Sequence, residues 1–394
     1  MIQYDPYADE VLRDPHPIYR RLRDEAPAYF VEEYDAWALS RFEDIWQVSA
    51  DSECFSSARG TLPSQILTRE QPVIPILNYV DPPDHTTLRG LFQPLFAPRA
   101  VLRLEPFVRE LAVEILEDAR ERGEIDAVQE LTIPFATRIA AELIGVPASD
   151  MPSMVEWVRR FFQHDPDHGS MTPDGVAAIE EVNTFCTELA RERRRAPRKA
   201  TDAVDAILAY EGKTGRAFSD EEMGMHLGML VIGGSETIAK GITLSISLLS
   251  EFPDQREILI RQPDLVLDAF HESLRYDNPT QFLCRAVAQE TELYGQKLRV
   301  GQGAMLLYAS GNRDDREFDR PDVFDVTRRP QRILSFSVGR HLCLGIHLAR
   351  LEARVVLEEL LSRYPRFEVD FARADRIRTE FIKGFNSLPI QLVA

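Results

Sequence analysis

Phe336-Ser337-Val338-Gly339-Arg340-His341-Leu342-Cys343-Leu344-Gly345 sets one cysteine between two glycines, just ahead of an amphipathic helix. Residues 336–342 have no regular period. From there Leu344, Leu348, Leu351 and Val355 recur every third or fourth residue, which predicts a helix burying one face. Cys343 therefore falls near a helix N-terminus, where unpaired backbone N–H groups and the positive end of the macrodipole favour a thiolate. Arg340 and His341 push the same way. Gly339 and Gly345 carry no side chains beside the sulfur, which suits the approach of a flat, bulky group. A lone cysteine at such a junction is otherwise an inert, packed thiol.

The spacing of Phe336, Gly339, His341, Cys343 and Gly345 resembles the haem-binding signature of the cytochromes P450, the haem-thiolate monooxygenases. The resemblance implies a mainly α fold with a small β region, a single domain over residues 1–394. Haem b is then expected between a long central helix, 219–251, and the cysteine-bearing loop and helix, 336–361. Cys343 is the implied iron ligand, its thiolate pushing electron density to the metal to favour O–O cleavage.

Three further segments follow the family's order. Ser219 with Glu222 forms a capping box, so a helix is predicted from there until Pro253 ends it, on the order of 48 Å long. Its Gly224, Gly228, Gly233, Gly234 and Gly241 each cost about 1 kcal/mol relative to alanine, so something must compensate. Gly233 and Thr237 share a face. Gly233-Gly234-Ser235-Glu236-Thr237 resembles the family's oxygen-binding segment, which implies Glu236 and Thr237 as the catalytic proton relay. The plainer reading is a core helix with packing glycines and a threonine bonded back to its own backbone. A membrane span is rejected: the uncharged run 223–235 is too short, and Glu236 and Lys240 would each cost about 2.5 to 3.5 kcal/mol in a bilayer.

Glu272 and Arg275 lie three apart on a helix expected from about Leu265. By resemblance they are the family's buried E-x-x-R pair, completed by Arg329 or Arg332 from the following loop, with a structural role. In Asp81-Pro82-Pro83-Asp84-His85-Thr86-Thr87-Leu88-Arg89 the prolines stop one element and Asp84 caps the next, setting His85 and Arg89 one turn apart. The resemblance makes these, with Arg285 and His341, the partners of the haem propionates.

Composition agrees. No low-complexity tract, repeat or linker divides the 394 residues. A hairpin is predicted from strands 28–31 and 37–40 joined by 32–35, before a helix near Phe42. Residues 312–324 have the family's irregular meander. The N-terminus shows neither a basic start nor an apolar run, giving the expectation of a cytoplasmic protein without a membrane anchor. Cys54, Cys186 and Cys284, with no CxxC spacing, read as packed thiols. A net charge of −18, from 64 acidic and 46 basic residues, argues against nucleic acid. The basic run 191–199 reads as a solvated turn, and His164-Asp165-Pro166-Asp167-His168 as a turn rather than a metal site.

The resemblance implies a monooxygenase that uses dioxygen and two electrons, delivered by a ferredoxin and its reductase, to hydroxylate a hydrophobic small molecule. Arg99, Arg103 and Arg340 are the implied docking patch, and a monomer is expected. Ile76, Leu77, Leu230, Gly233, Thr280, Gln281, Phe282, Leu283 and Phe385 are the implied substrate contacts. Three alternatives stand beside this reading: a peroxide-driven peroxygenase, a non-catalytic haem protein binding a ligand, and a haem-free helical binding protein.

Overall fold

The computed structural model describes residues 2–69, 74–163, 172–197, 202–210 and 214–393. They fall into two compact units. The first comprises Met1–Thr87, His271–Leu344 and Arg378–Lys383, the second Leu88–Phe270, Gly345–Ile377 and Gly384–Ala394.

The first unit is built on a five-stranded sheet in the order Ala28–Val31, Ala36–Leu39, Gly303–Leu306, Leu283–Val287, Phe55–Ser56. Its first two strands are the expected hairpin, pairing Ala28 with Leu39 and Val31 with Ala36. The second strand starts at Ala36, one residue earlier than predicted. Asp35 adopts a left-handed φ of 46°, which completes the turn sooner. Ala36–Leu39 runs parallel to Gly303–Leu306, which is antiparallel to Leu283–Val287. Alternation sorts the side chains into two cores: Ala36, Ala38, Cys284, Ala286 and Met305 join one with Tyr19 and Phe282, while Trp37, Leu39, Val287, Ala304 and Leu306 join the other with Phe42.

A polar node ties this unit's irregular segments together. The helix Val266–Tyr276 carries Glu272 and Arg275, whose side chains are both 0% exposed and 2.7 Å apart. Arg275 also donates to the carbonyls of Asn312, Pro321 and Val323. The third member of the network is Arg328, 3.1 Å from Glu272, and not Arg329 or Arg332. Arg332 forks instead onto Glu317 and reaches Glu43, and Arg329 takes a φ of 48° as the chain turns. Cys186 and Cys284 are buried thiols, whereas Cys54 is half-buried.

The second unit is dominated by the helix Asp220–Glu251, capped as predicted: Ser219 Oγ accepts from the Glu222 N–H at 3.1 Å, and Glu222 accepts from the Ser219 N–H at 2.8 Å. It packs against Pro173–Arg195 and Ile133–Ile144. By length and apolarity this helix could cross a membrane, yet 67% of its most apolar window is buried inside the fold. Two of its glycines answer the compensation question. A Cβ on Gly224 would lie 2.0 Å from Thr187 Oγ1, and one on Gly228 2.2 Å from Asn183 Oδ1, so both permit close helix packing.

The basic run is not simply solvated. Arg193 is buried and pairs with Asp202 and Asp205, and Arg191 and Arg194 both pair with Asp220. Residues 198–199 of that run, and the segment with His164 and His168, lie outside the described residues.

Two stability predictions follow from the buried charges. Replacing Arg275 by leucine leaves the buried Glu272 carboxylate with only Arg328 and the Asp325 N–H and takes the donor from three carbonyls, so unfolding in urea should reveal a loss of about 3 to 5 kcal/mol; an unchanged midpoint would remove the node's structural role. Glu352, on the helix Ile346–Arg363, is 1% exposed, and its Oε2 meets no hydrogen-bond donor among the described residues. Burial alone pushes its carboxyl well above the usual value. The folded chain therefore holds this proton more tightly than the unfolded chain, and stability falls as pH rises above the unfolded carboxyl value. Glu352→Gln should be more stable than the parent at pH 8, with the advantage shrinking towards pH 4.5. A pH-independent difference would show that the carboxyl is not held neutral.

Candidate active site

Within the first unit, the segment ahead of Cys343 is held at several points. Asn312 accepts from the Leu334 N–H at 2.8 Å and donates to Ser335 Oγ at 3.0 Å, and Ser335 donates to the Leu274 carbonyl at 3.0 Å. The chain then turns through Ser337, at φ 55°, and Gly339, at φ 70°. The Cys343 N–H closes the loop by donating to the Phe336 carbonyl at 2.8 Å. A Cβ on Gly339 would lie 2.9 Å from Ala50 Cα, so this glycine answers to its backbone conformation and to the neighbouring helix Phe42–Ala50. Gly345 differs. It is the N-cap of the helix Ile346–Arg363, and a Cβ there would meet nothing within 4 Å.

Three expected propionate partners lie in the same unit. His85 is 2% exposed, and its ring centre sits 4.2 Å from that of His341. Arg285 is 3% exposed; its one hydrogen bond among the described residues runs 2.7 Å to the Cys284 carbonyl, and it joins no ion pair among them. A guanidinium offers five N–H donors, and burying its charge without an anion is costly. The donor set therefore fits a carboxylate-bearing group. Arg89 lies four residues after His85 on the helix Asp84–Phe92, where Asp84 is the first helical residue rather than the cap.

In the second unit, Gly233 and Thr237 form an exposed strip on the helix Asp220–Glu251, although Ser235 and residues 238–249 are buried. A Cβ on Gly233 would meet nothing within 4 Å, whereas one on Gly234 would lie 3.3 Å from Ala140 Cβ. The helix hydroxyls divide accordingly. Ser235, Thr243 and Ser245 each donate to the carbonyl four residues back, at 2.7, 2.6 and 2.9 Å. Thr237 makes no such bond among the described residues, so the reading of it as a back-bonded core threonine does not hold. Glu236 accepts from Lys240 Nζ at 2.9 Å. Sequence reasoning met Lys240 only as a charge awkward for a bilayer. Its spacing of four from Glu236 was the available signal.

The expected substrate contacts are scattered in burial. Leu77, Gln281 and Phe385 are buried, and Ile76, Leu230, Thr280 and Leu283 are half-buried. Phe282 is 0% exposed and packs into the sheet core beside Cys284, a core position rather than a chamber wall. Gln281 donates to the Asn278 carbonyl at 2.9 Å. Arg99, Arg103 and Arg340 are exposed.

Comparison with known proteins points one way. The family model for cytochrome P450 matches residues 76–392. The chain is 36% identical to the putative cytochrome P450 123 of Mycobacterium tuberculosis, over 99% of this chain and 97% of that one. It is 32% identical to linalool 8-monooxygenase of Pseudomonas putida, over 99% and 97%. Among solved structures it resembles CYP109E1 from Bacillus megaterium in complex with testosterone, with a TM-score of 0.87 at 28% identity, covering 98% of this chain and 100% of that one. With a thiol-bearing loop, a buried guanidinium that meets no anion among the described residues and an open strip on the long helix already in place, the chain belongs to the cytochrome P450 family and is a monooxygenase with a cysteine-ligated haem.

Proposed function

We propose that this chain hydroxylates a compact hydrophobic molecule with dioxygen and two electrons delivered by a ferredoxin and its reductase, acting as a single-domain monomer in the cytoplasm. The hydroxyl of Thr237, unshared among the described residues, beside an acid and on an exposed strip, is the observation that carries the reading. The match from residue 76 to 392 runs through both units, which supports one functional domain.

In this reading Cys343 is the iron ligand and His85, Arg89, Arg285 and His341 hold the propionates. When bound, haem supplies the activation of dioxygen. The chain supplies the rest. Glu236 and Thr237 carry protons, Thr237 Oγ1 being the last protein atom on the route. Gly233 keeps the helix surface bare there, Gly234 gives the same turn its close approach to Ala140, and Phe336, Gly339 and Gly345 shape the loop around the sulfur. Ile76, Leu77, Leu230, Thr280, Gln281, Leu283 and Phe385 are the proposed substrate contacts; Phe282 is set aside for its place in the core. An apolar, compact substrate is supported by these side chains and by two similar proteins, one named for linalool and one solved with testosterone. Arg99, Arg103 and Arg340, exposed on a chain of net charge −18, are the proposed contacts for an acidic electron carrier.

A ligand screen that follows the iron spin state, run over terpenoids, steroids, aromatics and fatty acids, is the direct test. At least one compact apolar ligand should shift the spectrum and yield a hydroxylated product with the ferredoxin system. Turnover with peroxide alone would favour the peroxygenase reading instead. Cys343→Ser should abolish the thiolate signature of the ferrous carbonyl spectrum, and an unaltered spectrum would sink the ligand assignment. Thr237→Ala should keep haem and ligand binding while diverting electrons to peroxide; unchanged product per electron would remove the relay.

A further inference from the structure

Lys240 is the most unusual charge in the second unit. Its side chain is 3% exposed, Nζ lies 2.9 Å from Glu236 Oε1, and Glu236 in turn is 13% exposed. The ammonium also sits 4.1 Å over the ring of Phe162, at the end of the helix Met151–Phe162. Its alkyl stem is packed too. Gly384, at φ 151°, approaches so closely that a Cβ there would lie 3.3 Å from Lys240 Cγ. Each of these contacts restricts the side chain, and together they leave it one anionic partner among the described residues.

From this arrangement we propose that Lys240 is a positioning residue for proton delivery: it holds the Glu236 carboxyl group in one rotamer on the long helix. The proposal rests on Glu236 belonging to the relay. A buried lysine is costly, and here burial lowers the pKa of its ammonium while Glu236 raises it. A solvated acid on an exposed helix face needs no such partner. An acid that must sit in a water-poor place, charged and correctly aimed, needs a counter-charge whose own freedom has been removed. Phe162 and Gly384 remove it. Because the pair spans one turn of a single helix, the carboxylate is aimed along the helix towards its C-terminus, and releasing or re-forming one ion pair governs whether it can turn towards Thr237.

The test uses the holoenzyme without added substrate, reduced through a ferredoxin and its reductase. Dioxygen then leaves as peroxide if it receives two electrons and two protons, or as two waters if it receives four of each. Peroxide formed per electron, and the solvent isotope effect on electron consumption, report proton delivery. Lys240→Met keeps the stem and removes the charge. It should raise the peroxide fraction about threefold and change the isotope effect, and Lys240→Arg should restore both towards the parent. In a Glu236→Gln background, Lys240→Met should add nothing. A separate readout needs no turnover: the urea midpoints of the four proteins of this cycle should be non-additive if the pair exists in solution.

Equal effects of Lys240→Met in both backgrounds would make the lysine merely structural and overturn the proposal. So would additive urea midpoints, or an unchanged peroxide fraction in Lys240→Met when Glu236→Gln alone raises it. If Glu236→Gln leaves the peroxide fraction unchanged, the relay reading itself fails. Non-additive midpoints in that case would still confirm the ion pair, which separates the two failures.

Discussion

Five N–H donors of one guanidinium organise the first unit. Arg275 directs them to Glu272, twice, and to the carbonyls of Asn312, Pro321 and Val323. A meander without regular structure has no ladder to satisfy its backbone, so its carbonyls must find donors elsewhere or face water. One buried side chain supplies three of them. Glu272 completes the arrangement by accepting from Arg328 and from the Asp325 N–H, which fixes the far end of the same meander. The position of Asn312 is then determined, and with it Leu334 and Ser335, the residues that lead into the cysteine loop. The geometry around Cys343 is thus set more than sixty residues upstream.

The second unit solves a different problem with one helix. Asp220–Glu251 must pack tightly over most of its length yet leave a bare strip in its middle. Gly224 and Gly228 serve close packing, while Gly233 serves openness. Its hydroxyls divide the same way: Ser235, Thr243 and Ser245 are absorbed by their own helix and Thr237 is not. Composition alone cannot separate these roles. The residue types are identical, and only what stands opposite each position assigns them.

That is also where the sequence stopped being legible. The hairpin, the capping box, the long helix and the cysteine loop were readable because each is specified by local chemistry: turn residues, a reciprocal cap, a period of 3.6. The buried ion pair was readable as a spacing, but its third member was not. Arg328, Arg329 and Arg332 are equivalent on paper until the left-handed turn at Arg329 decides which points inward. The basic run ahead of Pro197 looked solvated because its acids, Asp202, Asp205 and Asp220, lie later in the chain. Glu352 carried a signal that went unused, since it falls four residues after Leu348 and three before Val355, inside the apolar stripe that predicted its helix.

The buried charges also rank themselves by how completely their bonding capacity is met. Arg275 uses all five donors on protein atoms, so nothing further can bind it and its role ends with the fold. Lys240 has one carboxylate and one ring face, which restrain it without saturating three donors. Arg285 uses a single donor on a neighbouring carbonyl. Burial is similar in all three, so desolvation does not distinguish them. What differs is the bonding left over, and a buried donor left over is a cost that a fold without further need of it would have removed by substitution with an apolar side chain. Residual capacity therefore separates these residues where burial cannot: none is left at the structural node, some at Lys240, the proposed positioning residue, and most at Arg285, the proposed propionate partner.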